Sequence, residues 1–117
     1  RNVLLWNLAA DPNAGPHTND GGCDFCYGAV TLDGDHVTRN VAYYVLAHAS
    51  KFVPPESIRV GSNTLEQMDN VAFLTPDGHL VLIVANTGNF PVRFAIRYHG
   101  KTAQAALPDE SVGTFVW

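Results

Sequence analysis

The chain reads as an α+β protein in two parts. A strand–loop–helix unit of α/β type covers residues 1–53, and an antiparallel, β-sandwich-like domain covers 54–117. Three observations predict this. A short continuous apolar run at residues 2–6 suits a strand buried on both faces. A long apolar segment at 41–52 carries no Gly or Pro until Pro54-Pro55. From residue 57 onward the hydrophobic period changes from helical to two, with turn residues between the runs.

Between the first strand and the helix lies a loop over 9–28, rich in Gly, Pro, Asn and Asp. It is longer than compact domains usually carry without a function for it. A second β run, Ala29-Val30-Thr31-Leu32, ends at the turn Asp33-Gly34-Asp35. Thr38 is read as the N-cap of the helix that follows. Eight of the nine residues 41–49 are Val, Ala, Leu or Tyr. Apolar surface therefore wraps the helix, which is expected to be buried on more than one side.

The β domain is expected to contain strands at 57–60, 70–74, 79–85, 92–98, 102–106 and 112–117. The connectors Pro76-Asp77-Gly78, Thr87-Gly88-Asn89, His99-Gly100 and Pro108-Asp109-Glu110 all have turn chemistry. Val92, Phe94, Ile96 and Tyr98 alternate with Arg93, Ala95, Arg97 and His99, giving one buried and one wet face.

Seven Lys and Arg against eleven Asp and Glu give a net charge of −4. No basic run offers an electrostatic footprint for nucleic acid, and no apolar stretch approaches the roughly 20 residues of a bilayer span. The chain opens on Arg1-Asn2 directly before an apolar run and ends on Phe115-Val116-Trp117. Termini usually lie exposed at the surface, so the chain is expected to be a piece of a longer protein.

Cys23 and Cys26 have C-x-x-C spacing inside the long loop. The plain reading is a disulfide that pins the loop and implies an oxidising, secreted or extracytoplasmic setting. A metal site recruiting His17, with Asp20 or His36, and a redox pair are the alternatives; a single C-x-x-C is a weak metal signal. No metal or cofactor is predicted. Glycoside hydrolysis needs two carboxylates at a fixed separation, but nearly all the acidic residues stand in turns. None ends a buried strand beside a second one, so no catalytic residue is assigned. His48, alone on the apolar helix, reads as a satisfied histidine and not as a ligand. Trp6 ends the first strand just before the long loop, where βα barrels place substrate contacts. It is either a flat wall for a sugar ring or an ordinary core Trp.

Two segments carry a family resemblance. Trp6-Asn7-Leu8-Ala9 with Gly15-Pro16, then Tyr43-Tyr44-Val45-Leu46-Ala47-His48-Ala49-Ser50-Lys51-Phe52-Val53-Pro54, resemble the end of glycoside hydrolase family 30, which includes glucosylceramidases and β-1,6-glucanases. Arg59-Val60-Gly61-Ser62, Asn70-Val71-Ala72-Phe73, Pro76-Asp77-Gly78, Val81 to Asn86 and Thr114-Phe115-Val116-Trp117 continue it. Ala47 and Ala49 depart from it, standing where members often have Gly and Phe. The resemblance implies that residues 1–53 are the last strand, loop and helix of a (β/α)8 barrel and that 54–117 complete a side β-domain. It implies retaining hydrolysis of β-glycosides by two glutamates on earlier barrel strands outside this chain, with Trp6 lining the sugar subsite. The partners it implies are a β-glycoside substrate and the remainder of the polypeptide, whose N-terminal strands share the side domain. A free-standing sandwich that binds carbohydrate or protein is the rival reading, but it gives the all-round apolar helix no purpose.

Overall fold

The computed structural model describes residues 3–117 and divides into two compact units, Arg1–Ala47 and His48–Trp117. In the first unit, β1 (Ala9–Ala10), β2 (Val30–Asp33) and β3 (His36–Arg39) form a three-stranded sheet in that order. β1 runs parallel to β2, with Ala9 opposite Val30, and β2 turns back through Gly34-Asp35 into antiparallel β3. Helix α1 (Val41–Phe52) follows and carries the boundary between the units.

Four expectations for this part need correction. Residues 3–6 form no strand, and Asn2 lies outside the described residues. Val3, Leu4 and Trp6 are exposed. A strand exists only where a neighbour completes its ladder, and the pairing here begins at Asn7, whose carbonyl accepts from the Ala29 amide (3.3 Å). The turn at Asp33-Gly34-Asp35 is a hairpin: residues 36–39 return as β3 instead of leading straight into the helix. Thr38 is therefore not the cap, because it pairs with Thr31 in the ladder. Asn40 stands immediately before the helix, and its carbonyl accepts from the Tyr43 amide (3.0 Å) while its Nδ2 donates to the Gly28 carbonyl (2.8 Å) and to Thr31 Oγ1 (3.0 Å). Finally, no residue of α1 is buried, so its apolar circumference is not covered by the described residues.

The second unit follows the period-two pattern closely. β4 (Ile58–Val60), β5 (Met68–Leu74), β6 (Leu80–Asn86) and β9 (Ser111–Val116) form an antiparallel sheet in the order β4-β5-β6-β9. β7 (Val92–Tyr98) and β8 (Lys101–Leu107) form a separate antiparallel ribbon. The core cluster is Met68, Val84 and Leu107, with Leu82, Val92, Phe94 and Phe115 packed against it. Phe94 from the ribbon meets Phe115 from the sheet edge-to-face, ring centroids 5.6 Å apart, the arrangement that aromatic quadrupoles favour. β6 is one of the two inner strands, and its Leu80, Val81 and Val84 are all buried. From the helical end of this unit, His48 Nδ1 is hydrogen-bonded with Thr114 Oγ1 at 2.8 Å. That contact gives one ring nitrogen of the lone histidine a partner.

One buried polar side chain joins ribbon to sheet. Asn86, at 2% exposure, ends β6. Its Nδ2 donates to the Phe90 carbonyl (2.8 Å) and the Pro108 carbonyl (2.7 Å), and its Oδ1 accepts from the Gly88 amide (3.1 Å). The turn into β7 and the turn out of β8 thus hang on one amide, with the Glu110 amide donating to the Gly88 carbonyl (3.1 Å) beside it. Asn86→Ala leaves the buried Gly88 amide and two part-buried carbonyls without this partner, and the expected loss is about 1–3 kcal/mol of unfolding free energy. Urea denaturation checks it, the midpoint falling while the slope stays unchanged.

Candidate functional site

Trp6, Cys23 and Cys26 all lie in the first unit. Trp6 is 81% exposed and precedes Asn7, whose Nδ2 donates to the Cys26 carbonyl (3.2 Å). Gly28 then passes so close to the first strand that a Cβ on it would lie 2.7 Å from Ala9 Cα. Only glycine permits this approach. Residues 7–10 and 26–31 therefore run side by side in one direction, and Trp6 precedes that pair at the end where the cysteine loop returns.

Cys23 and Cys26 are bonded to each other. Both sulfurs are thereby removed from any ligand set, since metal coordination needs thiolates. Upstream, the loop is shaped by its own acid. Asp11 Oδ1 accepts from the Asn13 and Gly15 amides, both at 2.8 Å, and the Asp11 amide donates to the Gly15 carbonyl at 2.8 Å. That carboxylate is spent on holding a turn, as the sequence suggested for the acidic residues in general. Sequence reasoning passed over Phe25 and Tyr27, which stand 76% and 58% exposed on either side of Cys26. Their signal was aromatic residues interleaved with a C-x-x-C pair in a polar loop.

The second unit holds a groove of about 320 Å³ between sheet and ribbon, lined by Leu74, Leu80, Leu82, Ile96, Tyr98 and Trp117 among others. Of its two asparagines, Asn70 is committed to the backbone: its Nδ2 donates to the Asn63 carbonyl (2.9 Å) and the Met68 carbonyl (3.2 Å). Arg97 is the one charged side chain among the described residues that line it.

The carboxylate with a displaced pKa is Asp77, in the β5–β6 turn. The Thr75 hydroxyl donates to it, and His79 Nδ1 lies 3.0 Å from its other oxygen. These contacts, the hydroxyl foremost, hold Asp77 below the ordinary carboxylate value. The turn is closed by the Gly78 amide donating to the Thr75 carbonyl (2.9 Å), with Gly78 at φ +87°. This is turn architecture, exposed and remote in sequence from Trp6.

Residues 56–115 match the Glycosyl hydrolase family 30 beta sandwich domain. The chain belongs to glycosyl hydrolase family 30. It is 36% identical, over 97% of its length, to endo-1,6-beta-D-glucanase neg1 of Aspergillus fumigatus, and 34% identical, over 99%, to endo-1,6-beta-D-glucanase BGN16.3 of Trichoderma harzianum. It spans a quarter of the length of each (25%). Among solved structures it superposes on the endo-beta1,6-glucanase BT3312 with a TM-score of 0.82 at 29% identity, covering 98% of this chain and 26% of that one. The family expected from the WNLA and YYVLAHASKF segments is thus the family found. No helix among the described residues is long and apolar enough to cross a membrane.

Two measurements test the local chemistry. Thiol titration of the unfolded, unreduced protein is expected to find Cys23 and Cys26 unreactive, and both reactive after reduction. For Asp77, a depressed folded pKa means stability that is present above the unfolded value of about 3.9 and lost as pH falls through the folded value. Asp77→Asn is therefore expected to remove part of the stability loss below about pH 4, read as a shallower fall of Tm with acid.

Proposed function

We propose that this chain is the C-terminal part of a secreted, retaining β-glycosidase acting on β-linked glucosides. In this reading residues 1–53 are the last strand–loop–helix unit of a (β/α)8 barrel, and residues 54–117 are its side β-domain. The observation that carries it is the match, along nearly the whole chain, to endo-1,6-beta-D-glucanases of which it spans a quarter. A β-1,6-linked glucan is accordingly the first substrate to test. The acid/base and nucleophile glutamates lie elsewhere in the polypeptide, and this chain contributes substrate wall and scaffold. The disulfide supports an oxidising destination.

Three exposed features gain a purpose in this reading. The apolar circumference of α1 packs against neighbouring barrel helices. The run Val3–Leu5 becomes a barrel strand once strands stand on both sides of it. The groove beside Tyr98 and Trp117 receives a strand from the N-terminal part of the same polypeptide, pairing with the free edge of β7.

Trp6 supplies a flat apolar wall for the sugar ring, a role its exposure supports. The test is Trp6→Ala in the intact enzyme, with kinetics and thermal unfolding measured on one preparation. The expected result is a fall in kcat/KM of roughly 10²-fold or more, on the order of 3 kcal/mol of transition-state binding, with Tm little changed. A variant that melts much earlier yet keeps full specific activity would show Trp6 to be packing. An intact protein with no activity on β-glucosides or β-glucans would reject the glycosidase reading itself.

A further inference from the structure

We propose that Phe25 and Tyr27, carried by the bridged loop, form a second aromatic wall that holds the glucose unit linked to the one on Trp6, and so set preference for extended chains. The proposal rests on the glycosidase reading above and deepens it. Its basis is placement. The parallel register sets Ala9 against Val30 and Ala10 against Thr31. The Val30 amide donates to the Leu8 carbonyl (3.0 Å) and the Ala29 amide to the Asn7 carbonyl (3.3 Å). Asn7 Nδ2 then reaches the Cys26 carbonyl. One residue back from Asn7 stands Trp6; flanking Cys26 stand Phe25 and Tyr27. Three exposed aromatics are thereby collected at one end of one strand pair.

The loop is also held in the manner of a recognition surface. The Cys23–Cys26 bridge closes a very short ring, and the Tyr27 amide donates to the Phe25 carbonyl (3.1 Å) in a tight turn across its end. Such a ring restricts the backbone on which Phe25 rides, so little further ordering is needed when a ligand docks. Aromatic rings offer large contact area with few rotatable bonds, and tyrosine adds a hydroxyl for a sugar oxygen. An enzyme that cuts within a chain must grip sugars beyond the reacting ring. Binding energy from those remote units is what raises turnover of long substrates over short ones.

The experiment uses the intact enzyme and the double variant Phe25→Ala/Tyr27→Ala. kcat/KM is measured on a β-1,6-linked gluco-oligosaccharide and on a small aryl β-glucoside, with Tm on the same preparations. The expected result is a fall of about tenfold or more in the ratio of the oligosaccharide value to the aryl glucoside value, without a matching drop in Tm. Phe25→Leu, which keeps bulk and removes the flat face, should reproduce part of the fall. An unchanged ratio, or a parallel loss on both substrates accompanied by a lower Tm, overturns the proposal in favour of packing. Should the intact enzyme cut neither substrate, the glycosidase reading fails, and calorimetric titration of the oligosaccharide into wild type and double variant tests the wall separately. Heat of binding in wild type that the variant lacks supports it; equal or absent heats reject it.

Discussion

The sandwich half of this chain depends on the amide of Asn86. Six of its strands could pair in more than one way, because a two-stranded ribbon and a four-stranded sheet share little backbone hydrogen bonding. Asn86 removes that freedom by supplying two donors and one acceptor to the turn into β7 and the turn out of β8, which lie together at one end of the ribbon. A buried amide left unpaired is costly, so arrangements that separate the ribbon from the end of β6 are selected against. Apolar packing between Phe94 and Phe115, and between Leu107 and the β6 core, then adds stabilisation to a geometry already specified. Packing alone tolerates several near-equivalent arrangements; the polar contact makes one of them distinct.

The legibility of the sequence follows from how local each signal is. β7 was read with its observed bounds because its alternation and both flanking turns lie within one short stretch. β5, β6, β8 and β9 were read within two residues at each end for the same reason. The failures at Val3 to Trp6 and at Asn86 involve partners distant in sequence, whereas β3 and its ladder with Thr31 turn on a local reversal. Val3 to Trp6 looks like a buried strand by composition, yet whether it becomes one is decided by what pairs with it. β3 is hidden because Asp33-Gly34-Asp35 has the composition of a strand end, and only its pairing shows that it reverses the chain. Thr38 and Asn40 are both good caps by type, and only the ladder with Thr31 distinguishes them. Asn86 gave no signal at all, since its Pro108 partner stands 22 positions away.

For the candidate site, the family and the cysteine bridge were legible, while the neighbourhood of Trp6 was not. A C-x-x-C pair in a polar loop indicates a bridge without showing which residues it brings near. The approach of Gly28 to Ala9 and the bond from Asn7 to Cys26 set the loop beside Trp6, and both are contacts across about nineteen residues of irregular chain. Such closeness comes from the three-stranded sheet, whose parallel pair forces the loop to return alongside the strand it left.

The two units illustrate different answers to the same constraint. A short chain cannot cover every apolar face it presents. In His48–Trp117 the faces largely cover one another, leaving a groove. In Arg1–Ala47 most large apolar side chains are exposed, from Val3 and Leu4 through Trp6 and Leu8 to Phe25, Tyr27 and Val41. So many exposed large apolar side chains in one short unit suit contact with something else. The chemistry of the residues separates two kinds of contact. Aliphatic side chains such as Val3, Leu4 and Val41 suit protein packing, where dispersion and close fit are what matter. The aromatic group around the bridge is different in kind, amphipathic at Tyr27 and set on a loop stiffened covalently. Rigid aromatic surface on a constrained loop suits a ligand that arrives and leaves, because each encounter then costs little ordering.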